Sequence, residues 1–365
     1  MRRMSFGGQV DLREDVASDM SVPFYLSDAW FDAWYEAFED RPQQTLQVSG
    51  GNLHYICESR RLGPLAVRVA RGATNLQTPY FDIAGTSDIN AADEAPGRLL
   101  ALAQANMIEF DFVTESSLLF RAAQRWTASG RAQIDLRART ALLDCTGEIE
   151  AWLAGRSSAH SKNWLKGEKK LNRIGARFEL ITNPVELGGV VEELLALEHA
   201  GWKGRAGSSI LSNAPEAAFY RALVSGSAAA GSLRVALLRH EGRMIAAELC
   251  IVDAENCIAL KTTYDEAFSS KSAGFVVMLM HLRELFRTPS IRWYDQLGNG
   301  LTPPEHKLRT ATHLRPVYRI RYFAPTWRGL ALREYHRAYE AAKRARRSMR
   351  PVPPLLQPFL DASPA

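Results

Sequence analysis

The sequence has few cysteines, and none of them has the spacing of a metal or disulfide motif. The 365-residue chain contains four, with no CxxC pair and no Cys/His spacing: Cys57, Cys145, Cys250 and Cys257. Cysteines used in this way are typical of reduced thiols in the strands of a cytosolic protein. We therefore expect neither a metal site nor a disulfide.

Long apolar runs are also missing, which argues against a membrane-spanning helix. No stretch approaches the roughly 20 apolar residues that a spanning helix needs. The first residues, "MRRMSFGGQVDLRED", begin with two arginines that no apolar segment follows, so we expect no secretory signal. With 46% hydrophobic and 23% charged residues, the chain has the composition of a globular cytoplasmic protein long enough for two domains.

A net positive charge is missing outside one short region. The chain has a net charge of +5, yet seven Arg and one Lys against two Glu give residues 326–350 a net charge of +6. The remaining chain therefore has a net charge of about −1, which argues against a broad basic face for nucleic acid. We expect no nucleic-acid partner.

What the sequence does contain is a mixture of helix and strand patterns. In the first half, "LSDAWFDAWYEAF" is an amphipathic helix with aromatic residues on one face. The runs "LHYICES" and "LAVRVAR", joined by "RRLGP", predict a hairpin. Further strands "MIEFDFVT" and "AQIDLRART" alternate with helices, so this half should form helices and strands about a sheet.

The second half shows a clearer order of elements. After the strand "ARFELIT", Asn183 and Pro184 predict the cap and first turn of a long helix. A second helix, "PEAAFYRALVSGSAAAG", precedes the strands "LRVALLRH", "RMIAAELCIVD" and "CIALKTTYD". A helix, the strand "IRWYDQL" and the strand "LRPVYRIRYF" follow. This is an α/β plan whose ligand crevice opens where neighbouring strands part.

A small polar turn, "SSKSAG", joins the third of those strands to the apolar helix that follows it. One interpretation is a simple helix cap by Ser270 or Ser272. The other is an anion site, because the first N–H groups of a helix have no partner within the helix. The sequence stretch alone leaves both interpretations open.

Several stretches together resemble one known family: "SAHSKNWLKGEKKLNRIGARFEL", "LEHAGWKGRAGSS", "FYRAL", "GRMIAAEL", "KTTYDEAFSSKSAGF" and "WYDQLGNG". They are similar to the GNAT acyltransferase superfamily, in its cellulose-biosynthesis acetyltransferase (CelD/BcsL) branch, which is related to the Fem aminoacyl transferases. The resemblance implies an α/β (α+β) GNAT fold with two tandem GNAT-like domains and mixed central sheets. The expected units are a degenerate domain at 1–145, an acyltransferase domain at 146–325, and a basic helical tail with a Pro-rich end at 326–365.

The resemblance implies that acyl-CoA is the donor substrate and that the "SSKSAG" turn holds its pyrophosphate. Gly274 would let the backbone approach closely, Ser272 would donate a hydroxyl and Lys271 would offset phosphate charge. Backbone amides near Thr262 and Thr263 would polarise the thioester carbonyl. The turn has one glycine where the commonest family pattern has two small positions.

Three residues are candidates for the general base that an amine acceptor needs. Glu248 interrupts an apolar strand, Asp295 ends the strand "IRWYD", and His306 follows in "PPEHKL". A structural role is equally open for each of them. For Glu248, that role would be neutralisation by Lys261 on the adjacent strand.

The segment "EHAGWKGRAGSS" lies where GNAT proteins build the acceptor side. It supplies five candidate acceptor residues: Glu198, His199, Trp202, Lys203 and Arg205. The alternative is an ordinary helix end, in which Lys and Arg meet the helix dipole and Trp202 packs in the core.

Two basic helices remain. The first, "SKNWLKGEKKLNRIG", is either a solvated face or a contact for an anionic acceptor. The second, the tail helix from Trp327, is expected to pack on the body or to contact the inner membrane surface loosely. The ending "PVPPLLQPFLDASPA" is expected to be extended and partly disordered.

These expectations point to an acyl-CoA-dependent N-acyltransferase that modifies a primary amine of a cell-envelope precursor. The acceptor is either an amino sugar of a polysaccharide or a lipid amine, as in a GNAT-type bacterial ceramide synthase. The alternatives are a Fem-like transferase with an aminoacyl-tRNA donor and a non-catalytic assembly protein that keeps the fold. No metal cofactor is expected in any of these cases.

Overall fold

A computed structural model of the chain describes residues 22–62, 65–156, 158–225, 231–348 and 352–361. Residues 63–64 of the predicted hairpin turn "RRLGP" and residues 226–230 of the predicted helix "PEAAFYRALVSGSAAAG" lie outside the described residues. The four cysteines all lie within them and are free thiols. Three of these cysteines are in strands, whereas Cys145 follows directly after a strand, so its predicted position in a strand is wrong.

Most strands match the predicted runs, but β1 was not predicted and β10 is shorter than predicted. They are β1 Thr45–Val48, β2 Gly51–Leu62, β3 Leu65–Gly72, β4 Met107–Thr114, β5 Ala132–Asp144, β6 Arg177–Ile181, β7 Leu233–His240, β8 Arg243–Asp253, β9 Asn256–Tyr264, β10 Trp293–Asp295 and β11 His313–Phe323.

The helices cover both faces of the strands. They are α1 Asp28–Phe38, α2 Ile89–Ala103, α3 Leu118–Ala128, α4 Ile149–Ala154, α5 Ser158–Arg173, α6 Pro184–Ala200, α7 Trp202–Arg205, α8 Ala214–Ser225, α9 Ala273–Phe286, α10 Glu305–Leu308, α11 Trp327–Ser348 and α12 Gln357–Asp361. Short 3-10 turns lie at Phe24–Leu26, Ile210–Ser212 and Glu266–Lys271.

Within the described residues the eleven strands form one mixed sheet, in the order β1-β2-β3-β4-β11-β5-β10-β9-β8-β7-β6. Neighbours are antiparallel except β3 with β4 and β9 with β10, which are parallel. The last strand, β11, lies between β4 and β5, and β5 in turn pairs with β10. The sheet therefore crosses the predicted boundary at residue 145 without a break, and the division into two domains stays a prediction.

Side-chain alternation along β8 gives the sheet two apolar faces. Ala247, Leu249 and Ile251 join the large core under α1, α6 and α8. Ala246 and Cys250 point the other way, toward α5 and α9. Because successive side chains of a strand face opposite sides, Glu248 lies on the α9 side.

Local sequence signals account for several element boundaries. The Asn183 side chain accepts a hydrogen bond of 3.1 Å from the Val185 N–H, which confirms the predicted cap of α6. The strand predicted over 291–297 is shorter, because Leu297 adopts φ = 52° and its N–H donates to the Asp295 carboxylate. That turn ends β10 at Asp295.

The tail helix α11 packs on the sheet through one face. Leu332 is buried against Val67, Met107 and Phe323, and the buried Glu340 lies 3.8 Å from Arg321. The expectation that the chain ending is extended is wrong for 357–361, which form α12. Among the described residues, no helix is long and apolar enough to cross a membrane.

Candidate functional site

A V-shaped split opens between β9 and β10. The two strands pair in parallel only where Trp293–Asp295 meet Asn256–Ile258. β9 continues to Tyr264, but β10 has already ended, so the β9 residues after Ile258 have no strand beside them on that edge. The split therefore lies where the sequence predicts a ligand crevice, between strands that part.

An irregularity in β9 lies at the same place. In the pairing with β8, Leu249 opposes Lys261 while Cys250 opposes Ala259, so Leu260 is an extra residue. A β-bulge of this kind leaves a residue outside the ladder and turns its backbone groups. The bulge lies two residues beyond the last paired position, Ile258, at the mouth of the split.

The "SSKSAG" turn forms the far end of this crevice. A 3-10 turn over Glu266–Lys271 leads to Ser272 at φ = 54°, and α9 begins at Ala273. The Ser272 side chain makes no capping hydrogen bond to any residue that the structure describes, so the simple-cap interpretation is wrong for Ser272. The interpretation of the turn as an anion site stays a prediction, because the first N–H groups of a helix have no partner within the helix.

Two glycines allow close packing around this turn. A Cβ atom on Gly167 of α5 would lie 2.4 Å from the Lys271 carbonyl oxygen. A Cβ atom on Gly274 would lie 2.9 Å from the ring of Tyr264. The turn is therefore held between helix α5 on one side and the end of β9 on the other. Lys271 itself places its ammonium 5.1 Å from the ring centre of Phe268.

Glu248 lies just beneath the split, with 1% of its surface exposed. Its carboxylate accepts hydrogen bonds from Tyr294 and, at 3.3 Å, from the exposed Thr262 hydroxyl. The His281 Nδ1 atom is 2.8 Å away. Burial and the nearby Glu248 raise the pKa of Tyr294, so its hydroxyl stays a donor. The predicted pairing of Glu248 with Lys261 is wrong.

Asp295 is fully buried on the opposite face of the sheet from Glu248, because its neighbour Tyr294 points toward Glu248. Its carboxylate accepts hydrogen bonds from Tyr80 and, at 3.0 Å, from Arg315. Burial and the Asp295 charge raise the pKa of Tyr80 well above its usual value. The two candidate carboxylates therefore lie on opposite faces of the sheet and do not share one crevice.

Lys307 is a site residue that sequence reasoning missed. Its ammonium donates to the Gln296 carbonyl and, at 3.2 Å, to the Leu297 carbonyl, where the chain leaves β10. Burial lowers its pKa, while Asp295 raises it. Its neighbour on α10, the candidate His306, is exposed. A lysine in a short loop helix carries no signal in the sequence, because only the fold brings it to the split.

Lys261 was considered only as a partner for Glu248, but it lies on the other face of β9. Its ammonium is 5.5 Å from the ring centre of Tyr220, whose hydroxyl donates to Gln77 at 2.8 Å. Burial lowers the pKa of Lys261. The sequence signal for a buried role of Lys261 is a cation within an otherwise apolar strand.

The predicted acceptor residues lie together beside the start of the "SSKSAG" region. Glu198 is buried and accepts from Lys203 at 2.6 Å, and Arg205 forms a two-pronged ion pair with Glu266. Trp202 is 55% exposed, so the interpretation that it packs in the core is wrong.

The remaining candidate of this group, His199, has its Nδ1 atom 2.9 Å from the Ser209 hydroxyl. That contact holds the loop that follows α7.

Comparisons with known proteins agree with this arrangement. Residues 158–308 match the family model described as an acetyltransferase (GNAT) domain. This range contains the split, the "SSKSAG" turn, the acceptor segment and the three candidate bases. No curated protein sequence matches the chain. Residues 158–308 are thus similar to a GNAT acetyltransferase domain.

Solved structures match most of the chain in fold. FemX has a TM-score of 0.54 at 11% identity, covering 80% of this chain and 91% of its own. The C-terminal domain of a putative lysylphosphatidylglycerol synthetase from Agrobacterium fabrum has a TM-score of 0.51 at 15% identity, covering 84% and 93%. A conserved protein of unknown function from Bacteroides thetaiotaomicron has a TM-score of 0.55 at 12% identity, covering 81% and 90%. The predicted fold class, a mixed-sheet α/β fold of the GNAT and FemX type, is confirmed.

Proposed function

We propose that the protein is an acyl-CoA-dependent N-acyltransferase whose donor lies in the split between β9 and β10. The observation that carries the proposal is the early end of β10 at Asp295, which leaves β9 unpaired beyond Ile258. An extended thioester arm can lie along that free strand edge and hydrogen-bond to it. The bulge at Leu260 lies at the mouth of the split, which supports placing the reacting carbonyl there.

The reaction follows from the groups at the split. The acceptor amine attacks the thioester carbonyl, and backbone N–H groups near Thr262 and Thr263 stabilise the charge on its oxygen. The C–N bond forms, the C–S bond breaks, and the proton of the amine ends on the coenzyme A thiol. The acyl group passes directly from the sulfur to the nitrogen, and no covalent bond to the enzyme is formed.

The diphosphate of the donor is proposed to bind at the start of α9. Ser272 and the first N–H groups of the helix would donate hydrogen bonds, and Lys271 would offset charge. Glycine at position 274 lets the backbone of α9 lie close to the Tyr264 ring, since a Cβ atom there would be 2.9 Å from that ring.

The general base is proposed to be one of Glu248, Asp295 and His306. Glu248 reaches the crevice surface through the Thr262 hydroxyl, and Asp295 is held by Arg315, whereas His306 is exposed. The amide variants Glu248→Gln and Asp295→Asn and the variant His306→Gln separate these candidates. Loss of the true base should lower kcat by about 10²–10⁴ while the Kd for coenzyme A stays unchanged.

The acceptor is proposed to be a primary amine of an envelope precursor, received beside α7. Exposed Trp202 offers a flat wall for a sugar or an alkyl chain, while Lys203, Glu198 and Arg205 define the polar side. An amino sugar and a lipid amine both fit this description. Acylation of a soluble amino sugar and of a sphingoid base in mixed micelles would distinguish them.

Contact with an anionic membrane surface is proposed to accompany a lipid acceptor. On α11, Trp327, Tyr335 and Tyr339 are each about half exposed or more, with Arg328 and Lys343 against the rings. Aromatic and basic side chains on one helix face suit a membrane interface. Sedimentation with anionic vesicles should then fall steeply as salt rises, and neutral vesicles should not bind.

A Fem-like aminoacyl-tRNA donor is the second candidate, and one observation favours it. Helix α5, which packs against the turn, exposes a set of basic side chains: Lys162, Lys166, Lys169, Lys170 and Arg173. The Lys170 ammonium lies 3.5 Å from the Ser270 carbonyl, beside the donor turn. Competition between charged tRNA and acyl-CoA for one site would decide between the donors. If neither binds, the non-catalytic assembly protein remains.

Calorimetry with coenzyme A tests the leading proposal. Gly274→Glu adds bulk and a negative charge at the proposed phosphate site, and coenzyme A affinity should drop at least tenfold. The matched control is Gly189→Glu in the exposed middle of α6, where no described heavy atom lies within 4 Å of a Cβ atom. Equal affinity in two folded variants would rule out this donor site.

A further inference from the structure

Three metal-ligating side chains meet beneath the split, in a place that the reaction does not use. The Cys250 and Cys257 sulfurs and a His281 ring nitrogen all lie within 4.8 Å of one another. The Cys257 Sγ atom is 4.0 Å from His281 Nε2. All three side chains are fully buried.

The fold explains why no sequence motif predicts this group of side chains. Cys250 and Cys257 lie on neighbouring strands of the β8–β9 hairpin, where Val252 opposes Cys257 and Cys250 opposes Ala259. Both sulfurs therefore point to the same face of the sheet. His281 reaches them from α9, which packs across that face. No short spacing in the sequence contains these three positions.

The positions of the ligand atoms fit a small thiolate-binding ion. Metal–sulfur bonds of about 2.3 Å and metal–nitrogen bonds of about 2.0 Å at tetrahedral angles place ligand atoms about 3.5–3.8 Å apart. The observed separations are at most 4.8 Å and exceed this range by at most about 1.3 Å, which small side-chain rotations can remove. Two thiolates and a neutral imidazole would also cancel the charge of a divalent ion, as a buried site requires.

The surroundings orient His281 for this role. The Glu248 carboxylate lies 2.8 Å from Nδ1, which leaves Nε2 as the ring nitrogen that faces the Cys257 sulfur. Glu248 is fixed in turn by the Tyr294 and Thr262 hydroxyls. A carboxylate behind a ligating histidine is the usual outer shell of a protein metal site.

We propose that Cys250, Cys257 and His281 bind one thiophilic metal ion, Zn²⁺ or Cu⁺. The ion would cross-link α9 to the β8–β9 hairpin. Thiolate and imidazole ligands select these two ions over Mg²⁺ and Ca²⁺. The site would hold the strand edge of the split against the helix that starts at the "SSKSAG" turn. The proposal replaces the expectation that the cysteines imply no metal, and it is independent of which acyl donor binds.

Metal analysis of the full chain tests the proposal. Protein is expressed in zinc-supplemented and in copper-supplemented medium and desalted, and metal per chain is measured by mass spectrometry. About one equivalent of one ion per chain is expected in the wild type. Under about a tenth of an equivalent is expected in Cys257→Ala and His281→Phe, because each variant removes one ligand. Cys145→Ser is the matched control, because Cys145 is buried in the same cluster but outside the ligand group, and it should keep the ion.

A second measurement applies if the ligand variants do not fold. Wild-type protein refolded with Co²⁺ should show the sulfur-to-cobalt absorption band, and a chelator should lower its melting temperature. Folded wild type from both media with under about a tenth of an equivalent, and no cobalt band, would overturn the proposal. Equal metal in the wild type, Cys257→Ala and His281→Phe would also overturn it, because the ion would then lie elsewhere.

Discussion

Gly167→Ala is the change that most directly probes the proposed phosphate site without touching it. Gly167 lies inside α5, and a Cβ atom there would stand 2.4 Å from the Lys271 carbonyl oxygen. To lengthen this distance to an ordinary contact of about 3.4 Å, the turn must move away from α5 by about 1 Å. The backbone N–H groups at the start of α9 follow the turn directly, so they move with it.

The size of the effect follows from hydrogen-bond geometry. A phosphate hydrogen bond of about 2.9 Å that is stretched by about 1 Å is no longer a hydrogen bond. Loss of one bond to a charged group costs about 1.5–3 kcal/mol. Coenzyme A should therefore bind Gly167→Ala about 10- to 150-fold more weakly, since about 1.4 kcal/mol is a factor of ten.

Isothermal titration with coenzyme A and thermal unfolding measure the two consequences. Gly189→Ala in α6 is the control, because no described heavy atom lies within 4 Å of its Cβ atom. The control should gain about 0.5–1 kcal/mol of stability, as glycine-to-alanine changes in helices do, and bind coenzyme A normally. A folded Gly167→Ala protein with wild-type affinity would refute the assignment of the turn to phosphate binding.

Three further changes test how the fold is held. Arg315→Met leaves the Asp295 carboxylate buried without its cation, so chemical denaturation should show a loss of about 3–5 kcal/mol, partly restored by adding Asp295→Asn. Burial lowers the pKa of His54 to about 4, below its unfolded value of about 6.5, so stability should fall by about 3 kcal/mol as pH drops from about 6.5 to 4. His54 stacks on Phe31, and the variant His54→Phe should flatten this dependence of stability on pH. An unchanged dependence would contradict the assignment of the pH effect to His54. Leu332→Ala should cost about 2–5 kcal/mol if α11 is part of the body, and almost nothing if the tail is loose.

Much of the local structure could be predicted from the sequence, because local signals decide it. The aromatic stripe of α1, the Asn183 cap and the alternating runs of β7, β8 and β9 all appear where they were predicted. The turn before α9 was also found from its composition. In each case, neighbouring residues contain the physical cause of the structure.

The pairing of distant segments could not be predicted in the same way. β11 enters the sheet between β4 and β5, and no local pattern identifies those partners. The true partner of Glu248 is His281 from a helix, while Lys261 in the adjacent strand points to the other face. Lys307 reaches the split only because α10 folds back over it. These features depend on tertiary contacts, which one sequence does not display.

Hydrogen exchange with and without coenzyme A tests the central claim most directly, because it reports where the donor lies. The account predicts slower exchange in two segments: residues 259–264 of β9, and residues 269–276 across the turn and the start of α9. The edge of β1, far away in the sheet, should exchange equally in both conditions. Unchanged exchange in both segments at a saturating concentration of coenzyme A would contradict the claim that the split is the acyl-donor site.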